Sequence, residues 1–126
     1  MKLMMVEDND RMRQLMRDFV AKLADQIVEC SDGLEAVAVY EAQRPDWVLM
    51  DVEMKGMDGI TATRKIRERF PGAKIIIVTQ YDDATTRTAA RQAGACGYVL
   101  KENLLELRQV LQTHRLTQQP TIEDCP

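Results

Sequence analysis

The sequence has little histidine, no long apolar run and no excess of positive charge, and each shortage excludes a class of function. His114 is the only histidine among 126 residues, so a nucleophilic triad that depends on imidazole is not expected. The apolar runs are far shorter than the ~20 residues of a membrane helix, and none near the first residue suits a signal peptide. A net charge of −3 provides no broad basic surface for nucleic acid. We therefore expect a cytoplasmic chain that contacts neither membrane nor nucleic acid directly.

The composition that remains is that of one ordinary globular domain. Hydrophobic residues make up 45% of the chain and charged residues 29%, and both fractions are typical of such domains. A chain of 126 residues is long enough to bury its own core, and it contains no internal repeat and no linker to a second domain. We predict a single domain at residues 1–116 and a short polar tail at residues 117–126.

Short apolar runs alternate with segments of helical periodicity along the whole chain. Apolar runs without polar alternation are typical of strands buried on both faces, and they predict strands at residues 3–6, 26–30, 47–51, 74–79 and 97–100. Apolar residues at helical spacing predict helices at about residues 11–23, 33–43, 59–69, 84–93 and 104–116. Asp10 is the expected N-cap of the first helix, and Asp82 or Asp83 that of the fourth. Five βα units predict an α/β domain with a doubly wound, five-stranded parallel sheet.

Polar side chains stand at the ends of four predicted strands. Glu7 and Asp8 follow the first strand, Asp51 ends the third, Thr79 ends the fourth and Lys101 follows the fifth. Right-handed crossovers bring the C-terminal ends of all parallel strands to one edge of the sheet. We therefore expect these five side chains to converge.

Such a group of side chains suits a metal ion and a phosphoryl group. Three carboxylates packed together repel one another, and their burial raises at least one pKa unless a cation is present. Glu7, Asp8 and Asp51 therefore predict a site for a hard divalent cation, and Mg²⁺ fits because it completes its shell with water and phosphate oxygens. The Lys101 ammonium and the Thr79 hydroxyl would stabilise the charge that develops in phosphoryl transfer. Carboxylates can accept a phosphoryl group covalently, and Asp51 is the candidate acceptor.

Taken singly, each of these residues has an ordinary structural explanation. Glu7 and Asp8 suit a solvated turn, Thr79 suits a strand, and Lys101 suits the protein surface. Their occurrence together at four strand ends favours the functional interpretation.

The motifs that carry these residues resemble those of receiver domains in two-component response regulators. The matching segments span residues 3 to about 115 and are Val6–Asn9, Leu49–Met54 with Met57–Gly59, Val78-Thr79, and Gly94–Lys101. The resemblance implies a CheY-like, flavodoxin-like fold with strand order 2-1-3-4-5. In style the motifs are closest to the branch fused to helix-turn-helix output domains.

The resemblance implies roles at the acceptor and the metal. Asp51 matches the phosphoacceptor. Asp8 matches the direct carboxylate ligand of Mg²⁺, with Glu7 acting more through water, while Asp51 and the backbone carbonyl of Glu53 supply further ligands. Lys101 matches the lysine that pairs with the acceptor carboxylate and later with the phosphoryl group.

The resemblance also implies roles in switching and in the lifetime of the phosphorylated state. Thr79 and Tyr98 match the coupled pair in which the hydroxyl moves to the phosphoryl oxygen and the aromatic ring turns inward. Glu53, Gln80 and Tyr81 lie at positions expected to tune the lifetime, and Gln80 stands where a small residue is usual.

The implied function is a Mg²⁺-dependent receiver that takes its phosphoryl group from a histidine kinase or a phosphotransfer protein of a phosphorelay. Phosphorylation would switch a surface made by the fourth helix, the fifth strand and the fifth helix. The chain would catalyse only its own phosphotransfer and autodephosphorylation. Its output would pass to a downstream protein, or to a C-terminal DNA-binding domain outside this chain, with a phosphorylation-dependent dimer as a further option.

Two other functions stay open at this point. An aspartyl-phosphate phosphatase commonly has a second aspartate two residues after its nucleophile, but here that residue is Glu53, and no segment of the chain forms a cap over a substrate. A phosphorylation-independent scaffold usually lacks the acceptor or the acidic residues, which this chain retains.

Overall fold

The computed structural model describes residues 1–117, with side chains to residue 113. The strands are β1 (Lys2–Val6), β2 (Gln26–Cys30), β3 (Trp47–Met50), β4 (Ile75–Thr79) and β5 (Gly97–Leu100). The helices are α1 (Asp10–Val20), α2 (Gly33–Gln43), α3 (Gly59–Arg69), α4 (Ala84–Gln92) and α5 (Leu105–Thr117). A short 3-10 turn at Lys101–Asn103 joins β5 to α5. None of the helices within residues 1–117 has the length and apolar character that a membrane span requires.

All five strands are parallel and lie in the order β2-β1-β3-β4-β5, which confirms the predicted fold. The register aligns the ends of β1 and β3, because Val6 pairs with Met50, and the ends of β4 and β5, because Thr79 pairs with Leu100. Glu7 and Asp51 therefore leave the sheet at the same level, whereas Met50 pairs with Ile77, so β4 and β5 extend two residues further before Lys101 follows β5.

The core consists of two apolar layers, one on each face of the sheet. Leu49 and Ile76 face the layer shared with α1 and α5, whereas Met50 and Ile77 face the layer shared with α2, α3 and α4. Successive side chains of a strand point to opposite faces, so a strand covered on both sides must be apolar throughout. β3 and β4 meet this condition over the whole of Trp47–Met50 and Ile75–Val78. The two strands nearest the middle of the site are thus the most completely buried.

Two helix caps refine the expectations from sequence. The N-cap of α1 is Asn9, whose side chain accepts a hydrogen bond from the Met12 amide, so the choice of Asp10 was wrong. Asn and Asp are similarly good N-caps, and the sequence pattern does not separate neighbours of these types. The N-cap of α4 is Asp83, which accepts from the Thr86 amide.

The ends of the elements differ slightly from their predicted limits. β3 ends at Met50, so Asp51 is the first residue of the following loop, and α5 begins at Leu105 after the 3-10 turn. α5 reaches Thr117, while the rest of the tail predicted for residues 117–126 lies outside the described residues. The domain limits and the tail stay predictions.

Candidate active site

A cleft of about 480 Å³ opens at the C-terminal edge of the sheet, between the loops that follow β1, β3, β4 and β5. Most of the predicted site residues line it: Glu7, Asp8, Asp51, Glu53, Gln80, Tyr81 and Lys101. Met54 and Lys55, to which the sequence analysis assigned no role, also line the cleft because the loop after β3 passes along it. Thr79 and Tyr98 do not line the cleft. The parallel topology therefore brings most of the predicted residues into one cavity, as expected.

The three carboxylates lie within reach of one ion. Ligand oxygens of Glu7, Asp8 and Asp51 all lie within 4.8 Å of one another. Backbone hydrogen bonds explain this closeness, because the Glu7 amide donates to the Cys30 carbonyl at 3.1 Å and the Asp51 amide donates to the Val6 carbonyl at 3.0 Å. Both residues continue the hydrogen bonding of the sheet by one position. They are also buried, with Glu7 1% and Asp51 2% exposed, whereas Asp8 is exposed.

Lys101 lies between the two buried carboxylates. Its Nζ is 2.8 Å from Glu7 Oε1 and 3.0 Å from Asp51 Oδ1. Burial of the ammonium lowers the pKa of Lys101, but the adjacent carboxylates outweigh burial, so this pKa is raised above its ordinary value and the side chain stays charged. One ammonium thus pairs with both buried carboxylates.

Burial and the neighbouring Glu7 change the protonation of Asp51. Burial raises the pKa of Asp51 from 3.8 to about 7, with a further contribution from the charge of Glu7, while Lys101 opposes the rise. An additional cation beside this buried carboxyl group would stabilise its ionised form. Among the described residues, no donor is aligned to hydrogen-bond Glu7 Oε1, although Lys101 forms an ion pair with it. A set of carboxylate oxygens short of positive charge fits Mg²⁺, which prefers oxygen ligands.

The backbone after Asp51 is closely packed against the start of α3. The Gly59 amide donates to the Val52 carbonyl at 2.9 Å, and a Cβ added at Gly59 would lie 1.7 Å from the backbone oxygen of Asp51. Asp58 caps α3 by accepting from the amides of Ile60 and Thr61. The motif Asp58-Gly59 therefore holds the loop that carries the candidate acceptor.

The predicted switch residues are linked through a residue that the sequence did not single out for this purpose. The Thr79 hydroxyl accepts a hydrogen bond from the Tyr81 amide at 3.2 Å, and the Tyr98 hydroxyl donates to the Tyr81 carbonyl at 2.6 Å. The Arg87 guanidinium lies 4.4 Å from the centre of the Tyr98 ring and pairs with Asp82. The backbone of Tyr81 thus connects a buried hydroxyl beside the cleft to the surface between α4 and β5.

The side chain of Tyr81 makes a second connection, across the mouth of the cleft. Its hydroxyl donates a hydrogen bond to the carboxylate of Glu53. Glu53 belongs to the loop after β3 and Tyr81 to the loop after β4, so the pair bridges two walls of the cavity. Sequence alone identified both positions but did not predict their contact, because the contact depends on how the two loops are placed relative to each other.

A family model and the sequences of known proteins assign the chain to the same family. The model of the response regulator receiver domain matches residues 3–112 of the chain. The uncharacterised transcriptional regulatory protein YhcZ of Bacillus subtilis is 42% identical over 116 residues, which cover 87% of this chain and 54% of that protein. The chain therefore spans about half the length of this relative.

Solved structures of similar proteins agree with this result. A two-component response regulator of the LuxR family from Aurantimonas sp. superposes with a TM-score of 0.84 at 32% identity, over 98% of this chain and 90% of that chain. The receiver domain of a sensor histidine kinase from Pseudomonas aeruginosa, with a magnesium ion in its active site cleft, gives a TM-score of 0.79 at 31% identity, over 89% and 94% of the two chains. The chain belongs to the family of response regulator receiver domains.

Proposed function

We propose that the chain is a Mg²⁺-dependent signalling receiver in which Asp51 accepts a phosphoryl group from a histidine kinase or a phosphotransfer protein. The observation that carries this proposal is the position of Asp51, a buried carboxylate paired with Lys101 and grouped with two further acids at an open cleft. A buried carboxylate in a purely structural role would not be expected to keep two acidic neighbours.

The residues of the site would act through charge and position. Lys101 holds Asp51 Oδ1, which leaves Oδ2 to form the bond to phosphorus as the bond between phosphorus and the donor breaks. When bound by Glu7, Asp8 and Asp51, Mg²⁺ supplies positive charge to the phosphoryl oxygens. The backbone carbonyl of Glu53 would be a further ligand. Three carboxylates and one ammonium sum to a charge of −2, which a divalent cation neutralises.

The switch would start at Thr79. A phosphoryl group adds strong acceptor oxygens, and the Thr79 hydroxyl, which accepts from the Tyr81 amide, can still donate its own hydrogen to one of them. Movement of the hydroxyl toward the phosphoryl group would pull the Tyr81 backbone with it. The same backbone segment binds the Tyr98 hydroxyl through its carbonyl. A shift of Tyr81 would therefore reach Tyr98 and the surface formed by α4, β5 and α5.

The lifetime of the phosphorylated state would depend on Glu53, Gln80 and Tyr81. The hydrogen bond from Tyr81 to Glu53 closes one side of the cleft, and Gln80 also lines it. Attack by water on the phosphoryl group needs access through this opening. We propose that the Glu53–Tyr81 bridge slows autodephosphorylation by limiting that access.

The output would be regulatory rather than enzymatic. Beyond its own phosphotransfer and autodephosphorylation, the chain would catalyse no reaction. The greater length of YhcZ supports a C-terminal DNA-binding domain as one recipient of the signal, and a separate protein target is the other. Phosphorylation-dependent dimerisation would use the surface of α4, β5 and α5. The site of action would be the cytoplasm.

The test is phosphorylation by a small donor. The protein is incubated with acetyl phosphate and Mg²⁺, and its intact mass is followed with time. One phosphoryl group should add, and it should be absent with EDTA, absent in Asp51→Asn and released by base. A folded protein that binds Mg²⁺ yet gains no phosphoryl group would contradict the proposal and favour a scaffold.

A further inference from the structure

Arg13 makes an unusual set of contacts behind the acidic cluster. It lies on α1, and its Nη1 donates to the backbone carbonyl of Glu7 at 2.6 Å. Its Nε donates to Glu29 Oε1 at 3.0 Å and its Nη2 to Asp10 Oδ1 at 2.6 Å. The guanidinium is thus held by two carboxylates while it donates to a peptide carbonyl. This arrangement is rigid compared with that of a single surface ion pair.

The peptide that Arg13 holds is the one that joins two of the proposed metal ligands. The loop from β1 to α1 consists only of Glu7, Asp8 and Asn9. The Glu7 end is attached to the sheet, and the Asn9 end is attached to α1 through its cap. Asp8 lies between them and is exposed, so no packing fixes its carboxylate. The orientation of the peptide between Glu7 and Asp8 sets the direction in which the Asp8 side chain leaves the backbone.

We propose that Arg13 is a positioning residue for the metal. By holding the Glu7 carbonyl, it orients the peptide that follows and places the Asp8 carboxylate beside Asp51. This proposal rests on the Mg²⁺-dependent function given above and adds a residue that touches neither the ion nor the phosphoryl group. Groups that orient metal ligands in this way commonly change metal affinity by about 10-fold to 100-fold when they are removed.

The positive charge of Arg13 should weaken Mg²⁺ binding, whereas its positioning role should strengthen it. The two effects can therefore be separated by experiment. A cation close to the acidic cluster repels a divalent ion, so a purely electrostatic role predicts tighter Mg²⁺ binding when Arg13 is neutralised. Asp10 and Glu29 already offset much of that charge. If positioning dominates, neutralising Arg13 weakens Mg²⁺ binding instead.

The experiment measures the dissociation constant for Mg²⁺ by isothermal titration calorimetry on the full chain and on three variants. Arg13→Gln should weaken binding by about 10-fold. Arg17→Gln is the matched control, because Arg17 also pairs with Glu29, at 2.7 Å, whereas the Glu7 carbonyl accepts from Arg13. It should change binding by about twofold at most. Arg13→Lys keeps the charge but lacks the forked donors, and it should fall between Arg13→Gln and the unmodified protein.

Phosphorylation gives a second readout that a general loss of structure would not produce. The rate for Arg13→Gln should require more Mg²⁺ but approach that of the unmodified protein when Mg²⁺ saturates. Binding by Arg13→Gln that equals or exceeds that of the unmodified protein overturns the positioning role. If Arg13→Gln does not fold, Arg13→Lys decides, since undiminished binding there also overturns it.

Failure of the proposed function would look different. If the unmodified protein itself bound Mg²⁺ but gained no phosphoryl group, only the proposed function would fall. If it bound no Mg²⁺ at all, both proposals would fall together. An effect confined to the Arg13 variants concerns the positioning role alone.

Discussion

Met50 and Asp51 are neighbours in the chain and are almost equally buried, but they represent two regions in which burial has opposite effects. Met50 belongs to the interior of the sheet, where apolar side chains leave water and each large one contributes roughly 1.5–3 kcal/mol. Asp51 belongs to the C-terminal edge, where burial raises the pKa of its carboxyl to about 7. Burial in the interior stabilises the fold. Burial at the edge destabilises it, because it brings together charges that repel one another.

The largest effect should follow a change in the interior. Ile76 is fully buried in β4, and Ile76→Ala should lower the free energy of unfolding by about 2–5 kcal/mol, because the lost contacts leave a cavity. Urea denaturation measures this change. Leu34→Ala is the control, since Leu34 is 68% exposed and its truncation should change stability by about 0.5 kcal/mol or less. Equal effects of the two variants would contradict the assignment of the core.

The next largest effect should come from the contact between the start of α3 and the loop after β3. Gly59→Ala places a Cβ against the backbone oxygen of Asp51, and it should destabilise the fold by about 1–3 kcal/mol through overpacking. Gly72 is the matched control, because a Cβ added there meets no atom within 4 Å. Thermal denaturation of Gly59→Ala and Gly72→Ala should separate them clearly. A Gly59→Ala variant as stable as the control would show that the loop after β3 can move aside.

At the edge, a substitution should stabilise the protein. Between about pH 4 and pH 7 the folded state keeps a proton on Asp51 that the unfolded state has released, so the free energy of unfolding falls as the pH rises. Asp51→Asn removes this penalty and should gain about 1–2 kcal/mol at pH 8, where Lys101 offsets part of the repulsion. The gain should disappear as the pH approaches 4.

Urea denaturation in EDTA at pH 8 and pH 4.5 measures this difference. Asp18→Asn on α1 controls for the loss of an exposed carboxylate. Added Mg²⁺ should then stabilise the unmodified protein more than Asp51→Asn, because an ion that binds only the folded state raises its stability. A variant less stable than the unmodified protein at pH 8 would contradict a repulsive edge.

The smallest effect on stability should come from the bridge across the cleft. Tyr81→Phe keeps the ring but removes the hydroxyl that donates to Glu53, and it should cost about 0.5–1 kcal/mol or less because the bond is exposed. Autodephosphorylation should become several-fold faster, because water gains access to the phosphoryl group. Loss of phosphoprotein after removal of the donor measures this rate.

The single variant Glu53→Gln and the double variant Glu53→Gln/Tyr81→Phe test whether Glu53 and Tyr81 act together on the rate of autodephosphorylation. If the bridge is the cause, the double variant should be no faster than the faster single variant. If the double variant loses its phosphoryl group at the same rate as the unmodified protein, the bridge does not control the lifetime of the phosphorylated state.

Much of the fold could be predicted from sequence because its signals are local. The runs at Ile75–Val78 and Trp47–Met50 are apolar at every position, which only a strand buried on both faces requires. The convergence of Glu7, Asp51 and Lys101 could also be predicted, since parallel topology places all strand ends on one side. The cap of α1 could not, because Asn9 and Asp10 are chemically equivalent candidates.

The sequence by itself determined the alternation of strands and helices, the family and the identity of the acidic and basic residues at the site. Only the tertiary structure decided which of these residues touch. The bridge between Glu53 and Tyr81, the link from Thr79 to Tyr98 through one backbone segment, and the grip of Arg13 on the Glu7 carbonyl all join separate elements. Such contacts depend on distances of a few tenths of an ångström between loops and helices, which close packing of the whole domain sets and no local pattern encodes.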